Sequence, residues 1–185
     1  MRVIAVLLFS VASSVAAHPH VRFLYQVEPV LHSGEVTSLR VLWRMDAMTS
    51  MQVARGIDAD RNGAIDADEL AAFAAQNGRL LGAAGYFTHI YDRDEPLGFT
   101  VAAPLRADLE HDDIVLRFEL RLAAPLAPER LGVRFFDATW YVALTAAQPV
   151  LAGNAPCSAS FRTSLLATQG WGAQAVPTLG FACTP

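Results

Sequence analysis

Lysine is absent from this sequence. All 14 basic residues are arginine, set against 18 acidic residues, for a formal net charge of −4 over 185 residues. Nucleic acids and anionic membrane surfaces ask for basic patches, so no nucleic-acid partner is expected. Cysteine is scarce: Cys157 and Cys183 stand alone, without CxxC spacing. No apolar run reaches the roughly 18 residues that a spanning helix needs, and no direct membrane insertion of the processed chain is expected. The nucleophile elbow GxSxG and the zinc motif HExxH are missing too. With the thiols expected to pair, no enzyme is expected.

What is present begins with a targeting pattern. Met1-Arg2 carries a positive charge, "VIAVLLF" is an apolar core, and Val15-x-Ala17 is a small-residue cleavage pattern. A signal peptide over residues 1–17 is expected, and with it a periplasmic location. In an oxidising space two cysteines usually pair. A Cys157–Cys183 bridge spans a separation of 26 residues. A loop of that size is worth about 3.5 kcal/mol in a chain-entropy model. It is expected to staple a Gly- and Pro-rich tail with few apolar anchors.

Residues 18–185 read as one β-rich domain. Period-two alternation places Val21, Phe23, Tyr25 and Val27 on one strand face. Leu39, Val41, Trp43 and Met45 share a second face, and Ile114, Leu116, Phe118, Leu120 and Leu122 a third. Hairpin turns are expected near Arg93-Asp94 and at His111–Asp113. The expected architecture is mainly β: an antiparallel sandwich or barrel-like domain of about seven short strands. Between the second strand and Phe87 the period changes. "TSMQVARGI" and "ADELAAFAAQNGRLLGAAG" predict a short and a longer helix, an insertion over about residues 46–82. Thr49 with Gln52 has the spacing of a capping box.

Between those helices lies "DADRNGAIDADE". Counted from Asp58, positions 1, 3, 5, 7, 9 and 12 are Asp58, Asp60, Asn62, Ala64, Asp66 and Glu69, with Gly63 at position 6. This resembles an EF-hand loop at every position. Calcium is a hard cation that takes about six to eight oxygens. The loop offers acidic or amide side chains at alternate positions, and Ala64 needs only its carbonyl. Gly63 permits the positive φ of a sharp turn. Glu69 can supply two oxygens at once. Ca²⁺ is the expected cofactor. Only one such loop is present, so a fixed clip is expected rather than a paired switch.

The expected cleavage site gives a second cluster. His18 and His20 are two apart and share one face of a strand. Imidazole is the commonest transition-metal ligand, and the free amine of His18 would add a third nitrogen. Pro19 has no N–H, which blocks chelation through deprotonated backbone amides. A transition metal (Zn, Ni, Co or Cu) is a candidate ligand here. His89, Asp46 and Asp137 are candidate further ligands.

Taken together, His-Pro-His after a signal, "WRMD" (Trp43 to Asp46), the acidic loop, "GYFTHIY" and "FFDATWYVAL" resemble the domain of unknown function 1007 family. The resemblance spans most of residues 18–146. It implies a bacterial periplasmic protein, labelled as the periplasmic component of an ABC-type transport system and often accompanying nickel/cobalt-type exporters. The expected function is thus an accessory role in transition-metal transport or homeostasis, with a membrane metal transporter as partner. Two alternatives stay open. One is a calcium-stabilised envelope interaction module without a transition-metal role. The other is a histidine-brace copper oxygenase, which would take His89 or His111 as its distant histidine.

Overall fold

A computed structural model of the chain describes residues 19–153, 156–170 and 172–184. In chain order the strands are β1 Val21–His32, β2 Glu35–Met45, β3 Thr88–Asp92, β4 Glu95–Leu97, β5 Phe99–Glu110, β6 Asp113–Leu126, β7 Leu131–Phe135, β8 Val142–Leu151, β9 Cys157–Ala167 and β10 Ala173–Cys183. Helices α1 Ala47–Ile57 and α2 Ala67–Ala83 lie between β2 and β3. The strands form two five-stranded sheets, ordered β5-β6-β2-β1-β8 and β4-β3-β7-β10-β9. Neither sheet closes into a barrel; the architecture is a sandwich with a helical insertion where the sequence places one.

The alternation read from the sequence sets the core. Phe23, Tyr25 and Val27 of β1, Leu39, Val41, Trp43 and Met45 of β2, and Ile114, Leu116, Phe118, Leu120 and Leu122 of β6 are all buried. They belong to one cluster with Ile90, Leu131, Val133, Leu179 and Phe181 from the second sheet. Because side chains alternate across a strand, a shift of one residue would expose each of these sets.

Four expectations need correction. Among the described residues there are ten strands rather than about seven; the hairpin at Arg93-Asp94 is present as β3 and β4, and the C-terminal segment forms two strands, β9 and β10. The sheets are not wholly antiparallel: β8 runs parallel to β1, pairing Val21 with Val142 and Phe23 with Leu144. The chain crosses from β7 in one sheet to β8 in the other, and so arrives beside β1 in the same direction. The tail after Ala152 is not poorly anchored either. β9 and β10 pair along their whole length, from Ala167↔Ala173 to Cys157↔Cys183, and the two cysteines form a disulfide at the open end of this hairpin. Val176, Leu179 and Phe181 of β10 are buried. The bridge therefore staples a strand of the core, and a disulfide fits an oxidising compartment. Lastly, α1 starts at Ala47, two residues before Thr49. Its N-cap is Asp46, whose Oδ1 accepts from Thr49 N at 2.7 Å.

No described helix is long and apolar enough to cross a membrane.

The outer face of β2, β5 and β6 carries an ionic ladder. Arg117 binds both Asp108 and Glu110, and Arg44 Nη2 donates to Glu110 Oε2 at 2.6 Å. The Arg117 bond and then the Arg44 bond hold the Glu110 carboxyl below the usual carboxylate range. A lowered folded value adds stability that is complete above the unfolded value of about 4.3 and is lost as pH falls through the folded one. Thermal unfolding of wild type and Glu110→Gln should differ at pH 6 and converge in stronger acid. A gap that stays constant down to pH 3 would contradict this account.

Candidate metal centre

The acidic loop, residues 58–66, is held between the two helices. Ile57 ends α1 and is buried; Ile65, Leu70 and Phe73 pack against the same core cluster. Ala74 of α2 is buried beneath them. These apolar residues fix both ends of the loop to the sandwich. Between them the backbone turns through Arg61 at φ 60° and Gly63 at φ 84°. Gly63 takes this left-handed conformation without steric cost.

The carboxylates then turn inward. One oxygen each of Asp58, Asp60 and Glu69 lie within 4.8 Å of one another. Loop amides hold these side chains in place. Asp58 accepts from Asn62 N and Gly63 N, both at 3.0 Å. Asp60 Oδ1 accepts from Asn62 N at 3.1 Å. Glu69 reaches back across the loop, accepting from Ala59 N at 2.7 Å and Asp66 N at 3.1 Å. The other predicted positions are nearby in different roles. Asn62 Oδ1 accepts from Ala64 N at 2.7 Å. Asp66 is the N-cap of α2, accepting from Asp68 N and Glu69 N, and with Glu69 completes a capping box.

Among the described residues this is the one group of three or more converging His, Cys, Asp or Glu ligand atoms. Its donors are all oxygen. The chemistry suits a hard cation, and lacks the nitrogen and sulfur that select late transition metals.

Of the second predicted cluster, His18 lies outside the described residues, as does the expected signal segment. His20 is exposed. Its backbone N donates to Tyr141 O at 3.0 Å, and its ring centroid lies 5.0 Å from that of Tyr141. His89 is exposed on β3, opposite Arg134 of β7. Asp46 caps α1. Asp137 is buried and occupied within its own loop: its carboxylate accepts from Thr139 N at 2.9 Å, Thr139 Oγ1 at 2.7 Å and Val142 N at 3.0 Å. Those bonds shape the crossing from β7 to β8. Two cues in the sequence announce these structural roles: an aspartate directly before an amphipathic helix, and an Asp-x-Thr turn.

No curated protein matches the chain. A family model matches residues 3–169, and the chain belongs to the family described as protein of unknown function (DUF1007).

Proposed function

We propose that this chain is a calcium-stabilised β-sandwich module of the cell envelope, with one ion bound in its EF-hand-like loop. The observation that carries the reading is the approach of Asp58, Asp60 and Glu69 to within 4.8 Å of one another. Three carboxylates this close repel, and a divalent cation turns the repulsion into attraction. Asn62, Asp66 and the carbonyl of Ala64 are the remaining candidate ligands. Ile57 precedes the loop, Ile65 lies within it, and both reach the core, so the ion would brace the insertion against the sandwich. Calorimetric titration of the wild-type protein with calcium should give one site per chain. Absence of heat at millimolar calcium would end this reading.

A second reading rests on the exposure of His20. With Asp46 and Asp137 committed to caps and turns, a transition metal would be held by the His18 amine and imidazole and by His20. Zn, Ni, Co or Cu are the candidates. Family resemblance supports the wider role, an accessory to a membrane metal transporter. The amine has a reference pKa of about 7.7–8.0 and is free to coordinate near neutral pH. An added residue before His18 should weaken metal binding, and His20→Ala should weaken it further. Equal affinity in the processed, extended and substituted forms would leave the calcium module as the sole function proposed.

A further inference from the structure

The chain has four methionines, and three of them, Met45, Met48 and Met51, fall within seven residues at a spacing of three. They run from the end of β2 into α1, where they divide. Met45 is buried in the core, whereas Met48 is 67% exposed and Met51 57% exposed. The rotation of α1 explains the split. Thr49 and Ser50 are the inward residues of its first turns: Thr49 Oγ1 accepts from Arg22 N at 3.4 Å, and Ser50 Oγ accepts from Ile114 N at 3.1 Å. These bonds fasten α1 to the starts of β1 and β6. Met48 and Met51 are thereby turned outward, three apart and on one face, with Cβ atoms about 5–6 Å apart.

Thioether sulfur is a soft donor that favours Cu(I). The only two thiols of the chain are joined in the disulfide. Methionine is therefore the one soft sulfur donor that an oxidising compartment leaves available. His111, at the β5–β6 turn, lines the same cleft as Met51 and is the third candidate donor. His111 is exposed. Two thioethers and an imidazole are neutral, so bound Cu(I) would keep its positive charge. Asp112 and Asp113 line the same cleft and favour a cation there; Arg55 opposes them, and Asp113 lies 3.6 Å from Arg44.

We infer that Met48, Met51 and His111 form a Cu(I) site on the outer face of α1, separate from the acidic loop and from the N-terminal histidines. The test is anaerobic titration of the calcium-loaded protein with Cu(I), in competition with a chromogenic Cu(I) chelator. Wild type should take up one Cu(I) at this site, with sulfur in its coordination shell by X-ray absorption. The double variant Met48→Leu/Met51→Leu keeps apolar bulk and removes both sulfurs. It should weaken binding at least about 100-fold, and His111→Asn at least about tenfold. His32→Ala, at an exposed histidine outside both proposed sites, should leave the affinity unchanged. All four substitutions are at exposed positions, so unchanged melting temperature and calcium binding would show that each variant is folded. Undiminished Cu(I) affinity in the double leucine variant, or a shell without sulfur, would overturn the assignment.

Discussion

Glu69→Gln is expected to abolish calcium binding at millimolar calcium while the protein stays folded. Glu69 is the residue on which the loop depends most. Its two oxygens hold the amides of Ala59 and Asp66, at opposite ends of the loop, and it brings one oxygen to the cluster with Asp58 and Asp60. The amide of glutamine can still accept from one backbone N–H through its oxygen. It cannot offer a second oxygen, and it removes a negative charge from the site. Glutamine at this position can keep its half of the capping box, and Asp66 keeps the other half. The helix should therefore persist, and the effect should appear in affinity. For a weak extracellular-type site of about 10⁻⁴ M, millimolar calcium adds about 1.4 kcal/mol to stability. In a domain of this size that raises the melting temperature by about 3–6 °C. Wild type should show the rise and Glu69→Gln should not. Scanning calorimetry with and without calcium decides the matter, and an equal rise in both proteins would place the ion elsewhere.

The strands that carry a two-residue period were legible, because a half-buried sheet enforces strict alternation. Val27, Trp43 and Leu120 each follow directly from it. The acidic cluster was legible for a different reason: Asp58, Asp60 and Glu69, which converge in the fold, lie within twelve consecutive positions. What escaped depends on long-range placement. β10 reads as a tail because Pro177 and Gly180 interrupt its apolar pattern, yet Val176, Leu179 and Phe181 find the second sheet. The parallel pairing of β8 with β1 joins segments more than a hundred residues apart, and no local signal marks it. Asp46 and Asp137 resemble metal ligands in a sequence. The sequence cues for a helix cap and an Asp-x-Thr turn compete with that reading, and the hydrogen bonds to Thr49 N, Thr139 and Val142 N decide for the cap and the turn. The outward methionines escape for the same reason. Their exposure is set by where Thr49 and Ser50 find partners on β1 and β6.

Trp43→Ala is expected to cost about 3–5 kcal/mol, the largest loss from any single side chain of the core. Trp43 is fully buried, with its ring centroid 4.9 Å from that of Phe118, 5.1 Å from Phe23, 6.1 Å from Phe135 and 6.4 Å from Phe87. Phe118 in turn meets Tyr86, which follows α2, at 4.6 Å. Removing the indole opens a cavity that rigid neighbouring rings cannot close. The phenylalanine variant should behave differently. Trp43 Nε1 is buried without a hydrogen-bond partner among the described residues, and an orphaned donor costs about 1–3 kcal/mol. Trp43→Phe removes that donor together with part of the volume, so the two effects oppose and the net loss should be well below that of alanine. Denaturant unfolding of both variants tests the order. The same experiment probes the join between insertion and sandwich, because Ile57 and Tyr86 share the core cluster with Trp43. If that cluster is one cooperative unit, calcium should raise the unfolding midpoint of Trp43→Ala as it does that of wild type. A Trp43→Ala protein that loses less than about 1 kcal/mol would refute the central place given to the indole, since that is below the range for a buried aromatic. A sandwich that unfolds at the same midpoint with and without calcium would show that the insertion is not coupled to the core.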